Sequence, residues 1–407
     1  MRDHEEYRLV SVRRRFGGLF DRERLLGRQI RTKNLESLEP GAFILARMQI
    51  VHGACAQVAE EMRGGAVSKS YVQFVGREGT DIGFFARLAQ TPEMLKLYMD
   101  ASQGVVIEKM TFDLKRWLGF KVNLPPLPEQ RRIAEILDTV DEAIRKTEEI
   151  IAKLKQVKQG LLHDLLTRGI DEHGELRDPD RHPEQFKDSP LGRIPKAWDV
   201  VTLGQGIDRS PQNGLYKPGT DYGDTGTPIV RIDGFYDGPI APIGSLKRVR
   251  LAEVERATYC LSPGDLLVNR VNSIDYVGKV GLVPTNLATT VVFESNLMRV
   301  VVDRGCLHPE FALHWLCSPQ AKAHFHSRAK NAIAQASVNQ TDIVDLPVLL
   351  PSLEEQRLIV HCVSQHAKRE SAEEAQDRKL RLLKQGLMED LLTGRVRVTS
   401  LLEAAAE

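Results

Sequence analysis

At 407 residues, with 42% hydrophobic and 27% charged side chains, the chain is long enough for two ordinary domains, each with its own core. A formal net charge of +1 gives no global basic signature, although a nucleic-acid binder can concentrate its charge on one face, and no apolar run approaches the roughly 20 residues of a membrane span. The N-terminus has no apolar stretch behind a basic start, and the cysteines (Cys55, Cys260, Cys306, Cys317, Cys362) form no C-x-x-C pair, so a secretory leader, a disulfide framework and a zinc knuckle are set aside and a reduced, cytoplasmic protein is expected.

In chain order, residues 1–123 read as a first mixed block. It opens with Tyr7-x-x-Val10-x-Val12, places Leu38-Glu39-Pro40-Gly41 before an apolar run at Phe43–Ala46, adds a second β-rich run at Tyr71–Val75, and carries a helix near Thr91–Ala101. Residues 124–170 hold a long helix. Ile133, Leu137, Val140, Ile144, Ile151, Leu154, Leu161 and Leu165 recur at steps of four and three, with Thr147 and Lys158 as the polar members of this heptad seam. About 40 residues at 1.5 Å each give a rod of roughly 60 Å. Residues 171–197 are polar and proline-bearing, as a connector is.

Residues 198–346 form a second mixed block, opening with Trp198-x-x-Val201-x-Leu203 and repeating the Leu-x-Pro-Gly pattern as Leu261-Ser262-Pro263-Gly264. Strands are expected at Thr227–Ile232, Asp265–Val268 and Asn296–Val302, and a helix around Pro309–Ala323. Residues 347–395 hold a second long helix, begun by Ser352-Leu353-Glu354-Glu355 in the form of a capping box, and residues 396–407 a tail. The second seam (Ile359, Val363, His366, Glu370, Glu373, Asp377, Leu380, Lys384, Leu387, Leu391) is apolar at its ends and charged in its middle. Neither helix stands alone in water without burying its stripe, so the two are expected to pack on each other.

The helices are copies. Lys158–Thr167 (Lys-Gln-Gly-Leu-Leu-His-Asp-Leu-Leu-Thr) returns as Lys384–Thr393 (Lys-Gln-Gly-Leu-Met-Glu-Asp-Leu-Leu-Thr), and Glu129-Gln130-Arg131 as Glu355-Gln356-Arg357, at one offset (385 − 159 = 226, 356 − 130 = 226). The matched Gly160 and Gly386 suggest a close backbone crossing or, nearly as readily, a plain kink. The fold class that follows is α+β: two mixed α/β domains, two long antiparallel coiled-coil helices and a pseudo-twofold internal repeat.

No catalytic set emerges. Gly204-x-Gly206 lacks the third glycine of a dinucleotide site, Asn123-Leu124-Pro125-Pro126 is only superficially similar to a methyltransferase motif, and there is no Walker loop or histidine metal spacing. What the blocks do offer is polar side chains beside strands. In the first block these are Arg13, Arg14, Arg15, Arg47, Gln49, His52, Lys69, Ser70 and Tyr71. In the second they are Asn213, Tyr216, Lys217, Asn269, Arg270, Asn272, Ser273, Tyr276, Lys279, Lys330 and Asn331. Arg and Lys match guanine edges, Asn matches adenine, and Ser, Tyr and Lys match phosphate. Each residue taken singly reads as turn chemistry; the duplicated frame gives the set its weight.

The run Leu124-Pro125-Pro126-Leu127-Pro128-Glu129-Gln130-Arg131, a long helix and Gly-Leu-Leu-x-Asp-Leu-Leu-Thr, occurring twice after variable blocks, resembles the specificity subunit of type I restriction–modification systems. Ser189-Pro190-Leu191-Gly192-x-Ile194-Pro195-x-x-Trp198 is similar to that family's entry into a target recognition domain, and Asn339-Gln340-x-Asp342-Ile343 to its exit. The resemblance implies two recognition domains that read the halves of a bipartite, asymmetric double-stranded DNA target, and paired helices that space them and dock two modification methyltransferase subunits. It implies no enzyme activity and no cofactor in this chain: S-adenosylmethionine, ATP and Mg would belong to the modification subunits and a motor-nuclease subunit. The first block is the shorter, which reads as a different recognition-domain subtype. The alternative is a non-catalytic coiled-coil scaffold that presents two domains to protein partners; it leaves the polar loop sets unexplained.

Overall fold

The computed structural model describes residues 2–107, 110–332 and 335–403, less the side chains of residues 331, 332 and 403. It divides into two compact units, Met1–Ile150 with Glu373–Glu407, and Ile151–Ala372. The described helices are α1 (Ile82–Leu88), α2 (Pro92–Asp100), α3 (Leu114–Leu118), α4 (Leu127–Thr167), α5 (Glu253–Tyr259), α6 (Pro309–Leu316), α7 (Pro319–Arg328), α8 (Gln340–Val344), α9 (Leu353–Leu392) and α10 (Thr399–Glu403). The division falls inside α4 and inside α9, so each unit holds the start of one long helix and the end of the other.

The seams explain why both helices form. Ile133, Leu137, Val140 and Ile144 of α4 are buried in the first unit, and Leu154 and Leu165 in the second. The polar Thr147 satisfies its hydroxyl by donating to the Ala143 carbonyl (2.9 Å). Polar Lys158 donates to Glu370 of α9 (3.0 Å), a seam member of the other copy. In the first unit Asp141 pairs with Lys384 and Glu148 with Arg381, so the helices run antiparallel there. Two charged members of the second seam, Glu370 and Lys384, therefore pair across the helices, while Asp377 pairs with Arg381 of its own helix. Such pairs are partly exposed and contribute at most about 1 kcal/mol each, fixing register more than stability.

The close crossing expected at Gly160 and Gly386 does not occur. A Cβ built at either position meets nothing within 4 Å. Gly160→Ala and Gly386→Ala will each add up to about 1 kcal/mol to the unfolding free energy through helix propensity, read as a higher urea midpoint. A lower midpoint would restore a packing role for the glycines.

The duplication runs deeper than the sequence repeat. In the first unit a three-stranded antiparallel sheet is ordered Cys55–Gln57, Phe43–Ala46, Tyr71–Phe74. In the second, Val280–Leu282, Leu266–Asn269 and Leu297–Val302 take the same order within a five-stranded sheet. Phe43 faces Phe74 as Leu266 faces Val300, and Ala46 faces Tyr71 as Asn269 faces Leu297. Gly41 and Gly264 both turn into the central strand at positive φ (84° and 87°), which accounts for the Leu-x-Pro-Gly pattern. The helix pairs match as well. Thr91 caps α2 by accepting from the Met94 N–H, and Ser318 caps α7 by accepting from the Ala321 N–H, each followed by proline at the first helical position. The helix expected around Pro309–Ala323 is for this reason two helices, broken at Ser318-Pro319. Asp113 caps α3 and Asn339 caps α8 in the same manner.

Gln130 and Gln356 join each block to its long helix. Buried Gln130 accepts from the Asp81 N–H (2.9 Å) and donates to the Gly79 and Pro125 carbonyls (3.0 and 2.8 Å). Buried Gln356 accepts from the His308 N–H (2.8 Å) and donates to the Cys306 and Pro351 carbonyls (2.9 Å each). The preceding glutamates pair with an arginine beyond the end of the opposite helix. Glu129 accepts from Arg397 Nε (2.8 Å), and this hydrogen bond holds its carboxyl below the ordinary range. Glu355 accepts from Arg177 (2.5 and 3.2 Å), from the Ile170 N–H (2.9 Å) and from Trp198 Nε1 (3.0 Å). The capping box at Ser352 is accordingly half made: Ser352 accepts from the Glu355 N–H (3.2 Å), while the Glu355 side chain is engaged elsewhere.

The polar stretch 171–197 is ordered where a bare connector was expected. Phe186–Ser189 and Gly192–Pro195 form a hairpin that buries Phe186 and Ile194, and Trp198 lies fully buried beside them in the second unit's core. Asp199–Thr202 then pairs antiparallel with Pro347–Leu350, zipping the two ends of the second block together.

Candidate nucleic-acid interface

In the first unit, three loops carrying the selected residues are tied to one another by main-chain hydrogen bonds. The Arg15 N–H donates to the His52 carbonyl (2.7 Å), the Phe16 N–H to Gly53 (2.9 Å) and the Arg47 N–H to Ser70 (2.9 Å). Arg13, Arg14, Arg15, Arg47 and Lys69 are exposed along this rim, and Gln49, His52, Ser70 and Tyr71 are half-buried between them. Arg13 stacks over Phe20, with its guanidinium carbon 4.9 Å from the ring centroid. Among the described residues none of the five cations has a carboxylate partner, in a chain whose net charge is only +1. Unpaired cations lose little by meeting an anion, which suits this rim to a phosphodiester backbone.

The rim is also strained. Arg15 and Phe16 stand consecutively at φ 55° and 56°, a region that side-chain-bearing residues rarely adopt. A Cβ on Gly53 would lie within 2.9 Å of the Phe16 ring, so the glycine permits the loop to close. Two such outliers cost on the order of 1–3 kcal/mol each and persist where the fold has another use for the loop.

In the second unit the selected residues also converge. Val271–Asn272, Gln335–Ser337 and Lys330–Ala332 form one small sheet in that order, and the Val338 N–H donates to the Arg270 carbonyl (3.0 Å). Loop 213–217 is bound alongside: the Gly214 N–H donates to Leu297, the Leu215 N–H to Phe293, and the Ser295 N–H to Leu215. Arg47 and Arg270 turn out to be equivalent. Each follows the central strand, and each donates its N–H across to the residue before the facing strand, Ser70 and Asn296 (2.9 Å both).

The second set is not uniformly presented. Asn213, Tyr216, Tyr276 and Lys330 are exposed, with Tyr216 78% accessible, whereas Arg270, Asn272 and Ser273 are half-buried. Arg270 spends one Nη on the Ser295 carbonyl (3.3 Å), and the Asn272 side chain accepts from the Ser273 N–H (2.8 Å). Lys217 is matched by Glu255 (2.8 Å) and Asp221 (3.7 Å), which raise its pKa, the Glu255 hydrogen bond foremost. Lys279 is buried with its ammonium 3.8 Å from the Tyr236 ring centroid and flanked by Phe235 and Tyr276, and burial lowers its pKa. Asn269 is fully enclosed because its strand is covered on both faces, and its amide makes no side-chain hydrogen bond. Burial takes Asn269 and Lys279 off the presented surface. Asn331 lies on a described strand, but its side chain is outside the described residues.

Sequence reasoning passed over Arg231 and exposed Tyr236. Arg231 falls inside the strand expected over Thr227–Ile232; the strand ends at Val230, so Arg231 follows it directly, as Arg270 follows its own. Tyr236 meets Tyr276 edge to face (6.4 Å) next to Asp237, a third non-glycine residue at positive φ (54°). Among the described residues no group of three His, Cys, Asp or Glu side chains could hold a metal ion, and no helix is long and apolar enough to cross a membrane.

A family model described as "Type I restriction modification DNA specificity domain" matches residues 84–156 and 195–381, more than half of the chain. The chain is 25% identical over 292 residues to the type I restriction enzyme MjaVIII specificity subunit of Methanocaldococcus jannaschii, covering 71% of this chain and 65% of that protein. It is 28% identical over 291 residues to the type I restriction enzyme EcoKI specificity subunit of Escherichia coli, covering 70% and 58%. The chain thus spans less than two thirds of the length of each of these relatives. A solved chain from work on complex assembly and conformational transition of the type I R-M system superposes with a TM-score of 0.56 at 18% identity, over 96% of this chain and 92% of that one, a likeness of fold.

Proposed function

The chain belongs to the type I restriction–modification DNA specificity family as a specificity subunit, and from that premise we propose that its two units each read one half of a bipartite, asymmetric sequence in double-stranded DNA. In this reading α4 and α9 dock two modification methyltransferase subunits and fix the spacing of the half-sites. The modification subunits supply S-adenosylmethionine and methyl transfer, a motor-nuclease subunit supplies ATP and Mg-dependent cleavage, and this chain supplies no catalytic group. The cytoplasm is where such a complex would meet its DNA.

One observation carries the reading: a single frame, repeated down to its helix caps and glutamine clips, holds two different loop sets. The first presents unpaired cations suited to phosphate. The second presents amides and half-buried arginines suited to base edges, beside exposed tyrosines suited to phosphate. The test is the methylated motif of the complex reconstituted with its cognate modification subunits, before and after residues 198–346 are exchanged for another recognition block. The exchange is expected to rewrite one half of a two-part motif and leave the other half and the spacer intact. A complex that assembles and methylates no defined motif, or whose motif changes throughout, would overturn it.

A further inference from the structure

We propose that Arg231, held in place by Glu294, reads a guanine through its N7 and O6 edge in the half-site of the second unit; this rests on the DNA-reading function proposed above. Arg231 ends the strand Thr227–Val230, and Glu294 follows Val292–Phe293, the parallel neighbour of that strand. Glu294 is buried and its carboxylate is committed: one oxygen accepts from the Ile232 N–H (2.7 Å), the other from Arg231 Nε (3.1 Å). The Arg231 guanidinium lies over the Tyr222 ring at 5.6 Å. Its Nε is thereby occupied, while Nη1 and Nη2 make no hydrogen bond among the described residues. A planar fork fixed from behind, with two donors free, matches the two acceptors of a guanine edge.

The surroundings favour a base over a phosphate. The fork opens on a cleft of about 350 Å³ whose wall includes Tyr216, Lys217, Lys247 and Asn296. Two of the cleft's three cations are already matched, Arg231 by Glu294 and Lys217 by Glu255 and Asp221. An arginine neutralised by a carboxylate in the same wall gains less from a phosphate than the unpaired rim of the first unit does, and its fork still matches a neutral base edge. The duplicated frame supplies a second argument. The Leu38 N–H donates to the Gly65 carbonyl as the Leu261 N–H donates to Val291, so the parallel pair Leu9 and Ala66 matches Ile229 and Val292, and Ser11 and Ser68 stand where Arg231 and Glu294 stand. Both serines are uncharged and half-buried. The frame therefore does not need an ion pair at this place; the second unit carries one at the mouth of a cleft, beside loop 213–217.

The experiment uses the complete complex with its modification subunits, its methylated motif, and its affinity for duplexes varied one base pair at a time. Arg231→Ala is expected to make one G·C position of the motif degenerate, with discrimination there falling about 10–100-fold and the remaining positions unchanged. Arg231→Lys, which keeps the charge but not the fork, is expected to relax the same position and covers the case in which the alanine variant fails to fold. Glu294→Gln, a positioning change, is expected to weaken discrimination at that position alone, whereas a purely structural role would lower the melting temperature without touching the motif. An equal loss on every duplex assigns Arg231 to phosphate and overturns the proposal, as does an unaltered motif with either arginine variant. Failure of the wild-type complex to select any sequence would instead overturn the DNA-reading function itself.

Discussion

Glu355→Ala will cost the second unit on the order of 3–5 kcal/mol, the loss expected when one member of a buried, hydrogen-bonded ion pair is removed. Glu355 accepts four donated hydrogen bonds, from both ends of Arg177, from the Ile170 N–H and from the Trp198 indole. The Arg177 side chain is only 14% exposed and makes no other ion pair among the described residues. Chemical denaturation followed through the buried tryptophans, Trp198 and Trp315, should show the transition of this unit moving to lower denaturant. Glu355→Gln should fall between, since an amide oxygen keeps an acceptor but leaves Arg177 uncompensated. The corresponding Glu129→Ala should cost clearly less, because Arg397 is 56% exposed and water takes over its solvation. Equal losses at the two positions would refute this ranking.

Removing Arg14, Arg15, Arg47 and Lys69 together, as alanines, will weaken DNA binding by the assembled complex on all sequences alike. If each cation meets a phosphate, the dependence of log K on log salt becomes shallower by about 0.9 per residue. Four such contacts change the affinity lost between 50 and 200 mM salt by roughly two orders of magnitude. The motif itself should survive, because phosphate contacts position the protein and carry no sequence information. An unchanged salt slope would move the DNA path away from this rim. The opposite pattern, a lost base preference with an unchanged slope, would make the rim a reader of bases.

Much of this architecture is legible in the sequence, for identifiable reasons. The long helices show through because a heptad seam repeats one simple requirement over 40 residues, and Leu-x-Pro-Gly shows through because the turn needs positive φ at Gly41 and Gly264. The correspondence of α3 with α8 leaves almost no trace, since a cap asks only for one acceptor oxygen and Asp113 and Asn339 both provide it. The same economy hides Arg47 and Arg270, whose equivalence lies in main-chain bonds. Asn269 looked available because polar residues at strand ends usually are; its strand is covered on both faces, so alternation gave no warning. The burial of Lys279 is hidden in the sequence because Tyr236 and Tyr276, which enclose its ammonium, belong to separate loops that only the fold brings together.

The glutamine clips grip main chain and nothing else. Gln130 touches the carbonyls of Gly79 and Pro125 and the N–H of Asp81; Gln356 touches those of Cys306 and Pro351 and the N–H of His308. Every residue except proline offers an N–H and every residue offers a carbonyl, so the joint is blind to the identity of what it holds. A foreign block spliced in at these points would be gripped as firmly as the native one, with no compensating change in the helices. A block exchanged between chains built on this frame would then fold in a single event, with no second change elsewhere.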